Sequence, residues 1–131
     1  MTNQDTELFQ RLKAEISKAM DTYVDPAKLN PRTTPIGSQL PDEFFNERIA
    51  EMRAHMTDPH WIDVQKRDTL KEMDATIPIV MRCVALTKPE ADLLLAYSPD
   101  SSEYLIAQEQ SGGAFGSIGI WGDPVGCYAS M

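Results

Sequence analysis

Past Lys88 the chain has no lysine or arginine. The 43 residues from Pro89 to Met131 carry six acids, Glu90, Asp92, Asp100, Glu103, Glu109 and Asp123, without one base to pair with them. The first 88 residues hold all 12 bases against 14 acids, a balance of −2, so the C-terminal third supplies −6 of the total −8. Lysine is a common guard on exposed strand edges. Strands in this third therefore need another guard, either a covering helix or a partner. Net negative charge without clustered cations excludes nucleic acid, whose phosphates must be neutralised. It excludes anionic membrane surfaces on the same ground.

Other absences narrow the class further. No apolar run approaches the ~20 residues needed to cross a bilayer. The stretch from Met1 to Glu7 is polar and acidic, the opposite of a secretory n-region, so a cytoplasmic, soluble protein is expected. Two cysteines, Cys83 and Cys127, stand 44 positions apart among apolar neighbours, with no C-x-x-C pair. They read as small buried hydrophobes rather than a disulfide. No G-x-S-x-G, G-x-G-x-x-G or G-K-[ST] motif is present. With two histidines and no cysteine cluster, zinc or iron lacks three obvious protein ligands, so neither a metal nor a cofactor is expected.

What is present describes a single globular domain over 1–131, with 42% hydrophobic and 24% charged residues, long enough to bury a core. Leu8, Phe9, Leu12, Ile16, Ala19, Met20 and Tyr23 recur at helical spacing and predict an amphipathic helix over 6–23. Four prolines (Pro26, Pro31, Pro35, Pro41) and Gly37 then make 25–41 a stiff extended arm. A second helix is predicted over 42–56, burying Phe45, Ile49, Met52 and Met56, with Phe44 at its margin. Asp58 as N-cap and Pro59 as first helical residue predict a third over 58–74, with Trp61, Ile62, Leu70 and Met73 on its inner face.

After Ala75 the pattern changes to short β-branched and aromatic runs separated by turn residues. Strands are predicted over 77–86, with Pro78 at an edge or at the strand's start, and over 92–98, 103–110 and 115–121; 125–130 is a candidate fifth. The fold class is thus α+β: about three N-terminal helices packed on a C-terminal antiparallel meander of four to five strands over 77–130. The competing reading is mainly α. In it, Thr87 and Glu90 form a capping box for a helix over 90–97, and Ser98-Pro99 starts another that ends at Gly112. Helices followed by such a meander resemble, in element order alone, cone-shaped domains of the nuclear-transport-factor type and small acidic immunity proteins. That order implies no function.

Candidate site residues are few. His55, Asp58, His60 and Asp63 form the densest polar group and contain the types needed for acid–base chemistry, although their spacing fits no established motif. The competing reading is a solvated helix–helix corner. Gly113, Gly116, Gly119 and Gly122 recur every third residue, which reads as bulges in a curved strand. A flat ligand approaching there would have Phe115 and Trp121 as neighbours. Arg82 interrupts the apolar strand 77–86. Inside a pocket it suits an anionic ligand; outside, it protects the strand. The leading functional expectation is a non-enzymatic interaction protein that binds another protein or itself, as a subunit, accessory factor or inhibitor. The alternative is a small-molecule enzyme or binder with a pocket between helices and sheet, which leaves enzymatic activity open.

Overall fold

The structure, a computed structural model, describes residues 3–23, 42–74, 76–77, 79–110 and 114–130. The proline-rich arm at 25–41, Pro78 and the Ser111-Gly112-Gly113 turn lie outside the described residues, as do the side chains of Phe44 and Phe45. Helix α1 (Asn3–Thr22) runs over most of the predicted span, and Phe9, Leu12, Ile16 and Met20 form its buried stripe. Helix α2 (Asp42–His55) buries Met52, with Ile49 packed beside it. The strands that follow are β1 (Met56–Gln65), β2 (Val80–Thr87), β3 (Leu93–Ser98), β4 (Glu103–Glu109) and β5 (Phe115–Gly122). A short helix α3 (Leu70–Met73) lies between β1 and β2, and α4 (Pro124–Ala129) follows β5.

The fold is α+β, and the sheet closes into a barrel in the order β1-β2-β3-β4-β5. Each consecutive pair is antiparallel. With five strands in up-and-down order, the first and last run the same way, so the closing pair is parallel. It joins Val64 to Phe115 and Gln65 to Gly116. Closure answers the edge problem raised by the missing lysines, because the outermost strands pair with each other. The mainly helical alternative is overturned, since Leu93–Ser98 and Glu103–Glu109 pair along their whole length.

Two apolar clusters explain why these strands read as near-continuous hydrophobic runs: both faces are covered. Inside the barrel lie Val64, Met81, Cys83, Ala85, Leu94, Ala96, Leu105 and Ala107. Alanines at three of these positions suit an interior too narrow for large side chains. Alternate residues point outward, and Val84, Leu86, Leu95, Tyr97, Tyr104 and Ile106 meet the stripe of α1 together with Val125, Cys127 and Tyr128 of α4. Fully burying side chains such as Leu12 or Ile16 contributes about 1.5–3 kcal/mol each. The helix is also pinned by polar contacts. Arg11 donates to the Tyr97 hydroxyl at 3.2 Å, and the Tyr104 hydroxyl donates to Glu15 at 2.9 Å.

Two predicted elements are corrected. The third helix over 58–74 is absent: α2 passes directly into β1, and only Leu70–Met73 is helical. The reason is register. Ile62 and Val64 face the barrel interior while Trp61, Asp63 and Gln65 alternate outward, and residues 60–65 pair with β2. Leu70 and Met73, expected on an inner face, are exposed. The candidate fifth strand over 125–130 is instead α4. Asp123 caps it by accepting from Gly126 N at 2.8 Å, with Pro124 in the first turn.

Backbone specials sit where the meander bends. Ala91 and Asp92, at φ 52° and 67°, are the two central residues of a tight hairpin in which Glu90 and Leu93 exchange both backbone hydrogen bonds. This geometry matches a type I′ turn, which favours Gly or Asn. In β5 the register shifts opposite Leu105 and Ala107, and Gly119 takes φ 84° there. Its freed N–H donates to the Asp68 carboxylate at 2.8 Å. The predicted bulges of the glycine series are thus present at Gly119.

Candidate functional site

Strand alternation disperses the His–Asp group. His55 ends α2, and its Nδ1–H donates to the Glu51 carbonyl at 2.7 Å. Asp58 is fully exposed on β1 and faces Lys13 at 3.7 Å. His60 is exposed as well, with Nδ1 donating to the Asp58 carbonyl at 3.0 Å. Asp63 lies on the opposite face of β1 from His60, because odd and even positions point apart. No acid–base pair is assembled from the four. Among the described residues no group of three or more His, Cys, Asp and Glu side chains is placed to hold a metal ion.

His55 has a partner that its sequence neighbourhood did not reveal. The Tyr128 hydroxyl lies 3.3 Å from its Nδ1 and donates to Glu90 at 3.2 Å. Burial, then the Glu90 charge, pushes the Tyr128 phenol up to about 12, so it remains a donor at neutral pH. Arg48 places its guanidinium 4.8 Å from the Tyr128 ring centroid and donates to the Tyr128 carbonyl at 3.0 Å. This network ties α2, the β2–β3 turn and α4 together. Residues 48, 90 and 128 are far apart in the chain, and no spacing rule connects them.

The cysteines belong to the core. Both are free and buried. Burial pushes the Cys83 thiol up to about 11 and the Cys127 thiol up to about 12, with Asp100 and Asp123 respectively adding to the rise. A thiolate nucleophile is suppressed at both positions.

Arg82 settles on the outside of the barrel. Its guanidinium lies 4.4 Å from the Trp61 ring centroid, a cation–π stack. Asp63 is its direct cross-strand partner. Even so, neither side chain enters an ion pair among the described residues, and the Trp61 Nε1–H is buried without an acceptor. Trp61, Ile62, Asp63 and Arg82 border a depression of about 470 Å³ open to solvent. Phe115 and Trp121 belong to the other face, half-buried against the barrel interior. The structure therefore does not bring Arg82 together with them. Gly116 does admit a close approach: a Cβ there would come within 2.6 Å of Arg67 Cδ, so the occupant is a side chain of the same chain.

The most conspicuous surface is one that the helical reading hid. The segment joining β1 to β2 leaves Leu70 77%, Met73 41%, Ile77 83%, Ile79 56% and Val80 56% exposed. Its described ends are anchored. Lys66 N donates to Ile79 O at 2.8 Å, Arg67 N to the Ser117 hydroxyl at 2.9 Å, and Thr69 and Glu72 form a reciprocal capping box. Five large apolar side chains kept in water along one connection make a surface of the kind that partners cover. No described helix is long and apolar enough to cross a membrane. No family model, no curated protein and no solved structure matches the chain.

Proposed function

We propose that this chain is a single-domain, non-enzymatic protein-interaction module that works by binding another protein or itself. The observation that carries the reading is the exposure of Leu70, Met73, Ile77, Ile79 and Val80 along a β1–β2 connection whose described ends are anchored by backbone hydrogen bonds and a capping box. Beside it stand an arginine and a tryptophan, the residue types that most often anchor interfaces. Several titratable side chains that meet in the fold, such as Glu15 with Tyr104 and Glu90 with Tyr128, serve as helix ties. The cytoplasm is the expected compartment, in keeping with two buried, unpaired thiols. The test is native mass spectrometry of the protein purified from its source, alongside a Leu70→Asp, Ile77→Asp variant. A bound protein that disappears in the variant supports the reading. A partner retained by the variant shifts the site elsewhere.

One observation favours a second reading, a small-molecule binder: Arg82 has no ion-pair partner among the described residues and borders an open depression. A ligand there would be anionic. A small molecule that remains bound in native spectra and is lost in Arg82→Ala would favour this reading over the first.

A further inference from the structure

We infer that the outer face of the β1–β2 arm is a two-fold symmetric docking surface for a second copy of this chain. The inference rests on the interaction-module reading and names its partner. Charge is the first ground. Positions 61 to 82 hold four bases and four acids, so this stretch is neutral and the rest of the chain carries the whole −8. Two copies repel through the charge of the rest of the chain, but this stretch adds no net charge to that repulsion.

Self-complementarity is the second ground. Arg82 and Asp63 are direct cross-strand neighbours on one face, yet Arg82 turns onto Trp61 and leaves Asp63 without a cation among the described residues. A two-fold interface brings residue i against j and j against i. Such an arrangement sets each Arg82 against the partner's Asp63, so one operation satisfies both charges twice. Val80 shares this outer face with Arg82, two positions along the same strand. With the exposed Leu70 and Ile77 of the same β1–β2 connection it supplies apolar area for a dimer to bury, since rim charges alone contribute little. An acidic or a basic foreign partner would satisfy only one of the two charges.

The experiment uses the purified full chain in sedimentation and light scattering from low micromolar upward. A dimer is expected. Arg82→Asp alone and Asp63→Arg alone should each weaken association by about tenfold or more, because each homodimer then sets like charges face to face. An equimolar mixture of the two variants should recover the dimer. In that mixture position 63 of each copy again faces a charge of opposite sign at position 82 of the other. Both positions lie on the surface, and far-UV circular dichroism confirms that each variant is folded. A wild-type monomer at every concentration overturns the inference, as do variants that dimerise like the wild type. Single variants that fail to recombine overturn the two-fold pairing. A monomer that still captures a foreign protein through Leu70 and Ile77 sinks the second copy but spares the interaction module. A monomer that captures nothing sinks both.

Discussion

The barrel has two outer faces with opposite fates. Over β3 and β4, Leu95, Tyr97, Tyr104 and Ile106 lie under α1 and are dry. Over the β1–β2 arm, Val80 and Arg82 have no described helix above them, and Leu70 and Ile77 stand in water. The first face shows how the chain spends its only long amphipathic helix among the described residues: on the strands richest in large aromatic and aliphatic side chains. The second shows what remains. Folding has consumed the free energy of one face and left that of the other available for association.

The largest expected effect contrasts these faces directly. Leu12→Ala should cost about 2–5 kcal/mol in denaturant unfolding, because it opens a cavity under α1. Leu70→Ala should change stability by no more than about 0.5 kcal/mol. Equal losses at the two positions would show that the arm is already covered, and the comparison would break.

Alkaline pH sharpens it next. Cys83, Cys127 and Tyr128 all have folded-state values above their ordinary ones, so the native state holds those protons after the unfolded chain has released them. Their contribution is complete below about pH 9, the ordinary thiol value, and is lost as pH rises through 11 and 12. Thermal melts should therefore hold from pH 8 to about 9 and then move downward toward pH 11. A Cys83→Ala, Cys127→Ala variant should fall less steeply, and parallel curves would remove the thiols from the account.

A smaller effect is expected where α1 is pinned. Tyr104→Phe removes the bond to Glu15 and should cost about 1 kcal/mol. A matching loss in Glu15→Leu, which removes the acceptor, with no further loss in the double variant would assign it to that bond. Smallest of all is Ala91→Gly. A left-handed alanine costs roughly 1–2 kcal/mol, partly offset by glycine's greater chain entropy, so a gain of a few tenths to 1 kcal/mol is expected. A loss would mean that the turn is held open by something other than its own backbone.

The sequence carried the helical stripe of α1 and the three strands β3, β4 and β5 because their periodicities are strong and local. Two Asp-Pro pairs show where local signals stop. Asp58-Pro59 has the chemistry of a helix start but lies in β1, since Ile62 and Val64 gain more by entering the barrel interior. Asp123-Pro124 has the same chemistry and does start a helix, α4, whose Val125, Cys127 and Tyr128 fill the cluster beneath α1. The dipeptide offers a cap in both cases, and tertiary packing decides whether it is taken. The alternation Trp61-Ile62-Asp63-Val64-Gln65 was the available clue to β1. For the site, Arg82 stood out as the one charge in an apolar strand, whereas its stack on Trp61 depended on a pairing register that only β1 provides. The bare arm was hidden for the same reason, because Leu70 and Met73 look inward only if a longer helix exists.

Helix α1 is made well before the strands and helix that cover it. Its polar ties to Tyr97 and Tyr104 span 86 and 89 positions of sequence. At synthesis rates of about 5–20 residues per second, the stripe of Phe9, Leu12, Ile16 and Met20 waits roughly 5–20 s for the strands that will cover it. An isolated amphipathic helix of this length is marginal in water. A stripe that is dry in the finished protein is therefore exposed during synthesis for as long as its cover takes to follow. Nascent-chain chaperones should engage it there, and should release it once β4 and α4 have both emerged.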